Sequence, residues 1–61
     1  MWLLVDDNTV LINTDNAESI EVSEKSIYIN MVNEKTHLYG RYVDEKEAVD
    51  ALHLLRPRLN L

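Results

Sequence analysis

The sequence predicts an α+β domain: an antiparallel β-meander of about five strands with one C-terminal helix packed on one face. Three observations carry this expectation. Apolar and polar residues alternate from Ser19 to Ser23 and again from Ser26 to Val32, the period of a half-buried strand. Trp2–Val5 and Thr9–Ile12 are two further β-prone runs separated by Asp6-Asp7-Asn8, the composition of a hairpin. Beyond Asp44 the period changes, and Ala48, Ala51, Leu52 and Leu55 recur at the spacing of one helical stripe. At 61 residues the chain holds one core, so residues 1–61 form a single domain.

The elements follow in order. Strands are expected near 2–6 and 9–13. A two-residue turn at Asp7-Asn8, both tolerant of positive φ, pairs Val5 with Val10 and Leu3 with Ile12. The polar stretch Thr14–Glu18 reads as a loop, with one helical turn capped by Thr14 or Asp15. Strands near 19–23 and 26–32 join through Glu24-Lys25, which sets Val22 opposite Ile27 and Ile20 opposite Ile29. A similar turn at Glu34-Lys35 sets Met31 opposite Leu38 and Ile29 opposite Gly40 in a fifth strand near 36–43. Neither Glu-Lys turn has the glycine that two-residue hairpins favour, so each register is open to a slip of one residue. The helix is expected near 45–55, started by the capping box Asp44 and Glu47 and bounded by Pro57. In the tail, 56–61, Leu59 and Leu61 either fold back on the core or fray.

Strand phase then assigns the faces. Leu3, Val5, Val10, Ile12, Ile20, Val22, Ile27, Ile29, Met31 and Leu38 fall beneath the helix and make the core. The opposite face, which should be polar if solvated, instead collects Trp2, Leu4, Leu11, Tyr28, Val32 and Tyr39. Tyr28 is expected across from Arg41 and near Tyr39, flat rings beside a guanidinium, residue types enriched at protein interfaces. One helix cannot cover both faces, so either the sheet curls over itself or another chain lies on it. The expected surface is therefore Trp2, Leu4, Leu11, Tyr28, Val32, Tyr39 and Arg41, and the expected partner is a second copy in a homodimer or another protein.

Composition argues against most other functions. Eleven acidic residues against six basic ones give a net charge of −5, which repels a phosphate backbone, so no nucleic-acid partner is expected. The apolar run Met1–Val5 meets Asp6 and Asp7 too soon for a signal peptide or a membrane span. With no cysteine, a cytoplasmic setting is expected. His37 and His53 stand on separate elements without a carboxylate at ligand spacing, and read as surface or cap residues. Asp6-Asp7-Asn8 lacks the glycine and terminal glutamate of a calcium loop. Ser19, Ser23 and Ser26 have no nucleophile-elbow glycines, and Gly40 alone builds no phosphate loop. No catalytic residue, metal, cofactor or small-molecule ligand is expected. An alternative function is an acidic regulator or inhibitor that presents Glu21, Asp44 and Glu45 to a basic host surface.

Arg41-Tyr42-Val43-Asp44-Glu45-Lys46-Glu47-Ala48, a strand ending in Tyr before an acidic-capped helix, resembles small uncharacterised β-meander-plus-helix proteins of bacteria and their phages. With Ile12–Ile20 the resemblance covers about two-thirds of the chain. It implies the fold and a bacterial or phage setting, and it transfers no activity.

Overall fold

The computed structural model describes residues 1–59. In order it comprises β1 (Trp2–Val5), β2 (Val10–Asn13), a 3₁₀ turn (Thr14–Asn16), β3 (Ala17–Ser23), β4 (Ser26–Met31), β5 (Thr36–Arg41), α1 (Glu45–Leu55) and a second 3₁₀ turn (Arg56–Leu59). The five strands are antiparallel and divide into a two-stranded sheet, β1-β2, and a three-stranded sheet, β3-β4-β5, with the helix packed against β3 and β4.

The first hairpin has the register that its apolar pattern dictates, with Leu3 opposite Ile12, Leu4 opposite Leu11 and Val5 opposite Val10. Its strands end sooner than the expected 2–6 and 9–13, because the loop spans residues 6–9. Asp6, Asp7 and Asn8 all take positive φ, of 53°, 59° and 65°. Few side chains other than those of Asp and Asn accept this conformation cheaply. The Thr9 amide closes the loop on the Val5 carbonyl at 3.1 Å.

The helical turn after β2 is capped by Asn13, whose Oδ1 accepts from the Asp15 amide at 3.0 Å, and not by Thr14 or Asp15. Thr14 is instead buried, and its hydroxyl donates to the Met1 carbonyl at 2.8 Å. β3 begins at Ala17, two residues earlier than expected, with an irregularity between Ala17 and Ser19. Its hairpin with β4 sets Val22 opposite Ile27 and Ile20 opposite Ile29, as the alternation requires, with Glu24 carrying the positive φ of the turn.

The β4-β5 register differs from expectation. Leu38 lies opposite Tyr28 and not Met31, His37 is opposite Ile29, and Gly40 is opposite Ile27. The cause is the turn. The Met31 amide donates to the Lys35 carbonyl (2.8 Å), leaving a three-residue loop, Val32-Asn33-Glu34. Glu34 is left-handed at φ 69°, and the Asn33 side chain accepts from the Lys35 amide at 3.1 Å. This is the turn-plus-left-handed-residue geometry of three-residue hairpins. Val32 therefore belongs to the loop. A register shift then leaves Tyr39 as an extra residue between the pairs Tyr28-Leu38 and Ile27-Gly40. That bulge turns Tyr39 onto the core, whereas Leu38 lies outside the core cluster.

Asp44 caps α1 as its sequence requires, accepting from the Glu47 amide at 2.8 Å. Ala48 and Leu55 are buried, with Ala51 and Leu52 packed beside them. Val5, Ile12, Ile27, Ile29 and Met31 complete the buried core with Leu59, which folds back from the tail. The expectation for Leu61 lies outside the described residues. Gly40 is needed where it is, since the Tyr42 ring covers it: a Cβ there would stand 3.0 Å from the Tyr42 hydroxyl and 3.3 Å from its ring.

Candidate functional site

Exposed large apolar side chains cluster on the first hairpin, while Val32, Val43 and Leu54 are exposed elsewhere. Leu3, Val5, Val10 and Ile12 face the core, so the alternate residues Trp2, Leu4 and Leu11 face out, at 63%, 52% and 56% exposure. Leu4 and Leu11 are direct cross-strand partners, and Trp2 sits opposite Asn13 on the same face. No described element covers them.

The outer face of the three-stranded sheet is different. Asn30 donates to Ser19 Oγ (3.1 Å) and Glu21 Oε1 (3.2 Å) and accepts from the Thr36 hydroxyl (2.8 Å), a polar ladder across β3, β4 and β5. Tyr28 lies half-buried between Glu21 and Leu38 on neighbouring strands. Arg41 is opposite Ser26, not Tyr28, and its guanidinium donates to Asp7 Oδ1 at 2.7 Å. That bond raises the Arg41 pKa. Of the expected surface residues, Trp2, Leu4 and Leu11 come together. Val32 is exposed in the β4-β5 loop, Tyr28 and Arg41 stand apart, and Tyr39 is partly buried and packed against the core.

One constellation escaped sequence reading. The Asp6 amide donates to the Leu38 carbonyl (2.7 Å), its Oδ1 accepts from the Leu38 amide (2.8 Å), and its Oδ2 meets His37 Nδ1 at 2.7 Å. Asp6 thus joins the first hairpin to β5. The His37 bond, with the Leu38 amide second, holds the Asp6 carboxyl below its ordinary value of about 3.8. The partners are 31 residues apart, and no local pattern announces them. Among the described residues no hydroxyl or thiol hydrogen-bonds to His37.

A shallow groove of about 180 Å³ lies between β5 and the helix, lined by Tyr39, Tyr42, Ala51, Leu54, Leu55 and Arg58. Burial, with Tyr39 second, raises the Tyr42 pKa. The groove offers two phenols and a guanidinium but no carboxylate or imidazole. No group of three or more metal-ligating side chains occurs among the described residues. No described helix is long and apolar enough to cross a membrane.

Comparison with family models, curated proteins and solved structures finds no match for this chain. Its class is therefore defined by its own architecture: a small α+β domain whose N-terminal hairpin is apolar on both faces.

Proposed function

We propose that the chain is a non-enzymatic, self-associating protein-interaction module, and that the first hairpin is its contact element. A single observation carries the reading: Trp2, Leu4 and Leu11 are contiguous and exposed, whereas the outer face of the other sheet carries the polar ladder of Ser19, Glu21, Asn30 and Thr36. A large aromatic beside two leucines on a two-stranded sheet is the composition of an interface centre. A rigid hairpin whose other face is anchored in the core presents these side chains with little conformational entropy left to lose.

The acidic-inhibitor alternative has less support. Asp44 is engaged in the helix cap and Glu21 accepts from Asn30, so both carboxylates have structural work. Sedimentation equilibrium tests the proposal. Wild-type protein should show a dimer whose population rises with concentration. Trp2→Ser/Leu4→Thr, which removes mainly exposed apolar surface, should shift that equilibrium to monomer with little change in the unfolding midpoint at a loading where both chains are monomeric. A wild-type chain that stays monomeric up to ~1 mM would contradict the reading.

A further inference from the structure

Two irregularities of the chain build the groove of about 180 Å³ between β5 and α1. The bulge in β5 inserts Tyr39 between the pairs Tyr28-Leu38 and Ile27-Gly40, and Tyr39 lines one wall. Tyr42 lies across Gly40, so closely that a Cβ there would stand 3.0 Å from its hydroxyl and 3.3 Å from its ring. The one glycine of the chain thus stands where it seats Tyr42 against β5. Bulges that re-aim a side chain, and strand glycines that admit a close neighbour, recur beside binding sites. On the helix side Ala51 and Leu55 make an apolar floor, and Leu54, 77% exposed, stands at the rim.

The polar side chains of the groove suit an anion. Arg58 is its one charged residue, and among the described residues it is in no ion pair, whereas Arg41 and Lys46 are paired with Asp7 and Asp50. Arg58 stands between Pro57 and buried Leu59, which fixes its backbone. Both phenol oxygens are accessible: among the described residues neither bonds to a protein group, and no buried side-chain oxygen lacks a partner. Burial raises the Tyr42 pKa, which keeps its hydroxyl a donor at neutral pH. The adjoining C-terminal turn of α1 carries a partial charge of roughly −0.5, which disfavours an anion, and the full charge of Arg58 outweighs it. The net charge of −5 acts at longer range and is screened within ~8 Å at physiological salt. A guanidinium takes a carboxylate through two parallel hydrogen bonds, and no carboxylate of the chain lines the groove to compete for it.

We propose that this groove binds a small aromatic monocarboxylate, with its ring against Ala51, Leu54, Leu55 and the tyrosines and its carboxylate on Arg58. Size sets the class of ligand. The groove is smaller than the roughly 300–1,000 Å³ of drug-sized pockets and takes a single ring with a short acid arm. Such a ring stacks offset or edge-on against Tyr39 and Tyr42, a contact that an aliphatic acid of equal charge does not make. With about ten non-hydrogen atoms in an open groove, the dissociation constant is on the order of 1 mM. The site shares no residue with Trp2, Leu4 and Leu11, so it stands independently of self-association.

Titration of phenylacetate into the isotope-labelled wild-type chain at ~50 μM, followed by amide and methyl NMR, tests the site. The Ala51, Leu54 and Leu55 signals should shift saturably with a Kd on the order of 1 mM. Phenylacetamide, the same ring without the charge, and acetate, the same charge without the ring, should each bind at least about tenfold more weakly. Arg58→Gln, at an exposed position, should weaken phenylacetate by about tenfold and abolish its advantage over phenylacetamide. Equal binding of the amide would overturn the role of Arg58, and equal binding of acetate would overturn the apolar subsite. Shifts that rise linearly to ~20 mM, or that centre on Leu4 and Leu11, would overturn the site altogether.

Discussion

Asp6 is the residue on which the two sheets meet. Its amide and both carboxylate oxygens are bonded to β5, and its carbonyl accepts from Thr9 within its own loop. Because its carboxyl is held below its ordinary value of about 3.8, ionised Asp6 is favoured in the folded state. The sign follows: the stabilisation is fully present above the unfolded-state value and is lost as pH falls through the lowered folded-state one. The urea midpoint should therefore decline as pH is taken below about 4, and Asp6→Asn should flatten that part of the profile. An unchanged profile in Asp6→Asn would mean that other carboxylates govern the acid limb. At Gly40 the constraint is steric. Gly40→Val should destabilise by about 1–3 kcal/mol because the Tyr42 ring has to move, and Tyr42→Ala in the same chain should recover part of that loss. Chemical denaturation of the two single variants and the double variant measures the coupling directly.

At the scale of elements, the segments differ in how far local sequence fixes them. The helix is fixed by its cap, and Asp44→Ala should cost about 0.5–2 kcal/mol in denaturant unfolding. Its bounds, Glu45–Leu55, were legible because the capping box, the apolar stripe and Pro57 agree with one another. The registers of the β1-β2 and β3-β4 hairpins were legible because only one phase buries Ile12, Ile27 and Ile29 together. The β4-β5 hairpin was not, since Val32 continues the alternation of β4 and conceals that the strand has ended. The deciding feature is a left-handed Glu34, a conformation that glutamate does not advertise. Glu34→Gly should relieve this strain and stabilise by up to about 1 kcal/mol, net of the entropy that glycine adds to the unfolded chain. A loss of stability there would argue against the three-residue loop. The bulge at Tyr39 compounds the register change: it packs Tyr39 against the core, so one residue of the expected surface leaves the outer face. The Asp6-His37 link was invisible for another reason, because it depends on how the two sheets are placed and on no short-range pattern.

Over the whole molecule, a small core sets the terms. The helix, the inner faces of both sheets and Leu59 supply all the buried apolar side chains among the described residues, and Ile29→Ala should cost about 2–5 kcal/mol, a large part of the stability of a domain this size. The outer face of the first hairpin contributes nothing to that core, so its exposed side chains are available for association without unfolding the monomer. That separation makes the proposed function testable apart from stability. The expected composite surface contracts to Trp2, Leu4 and Leu11. The most direct test of this account is the molar mass of the wild-type chain by sedimentation equilibrium across a hundredfold range of loading, on the order of 10 μM to 1 mM. Self-association gives a mass that climbs from one chain toward two. A mass fixed at 7.1 kDa throughout would contradict it.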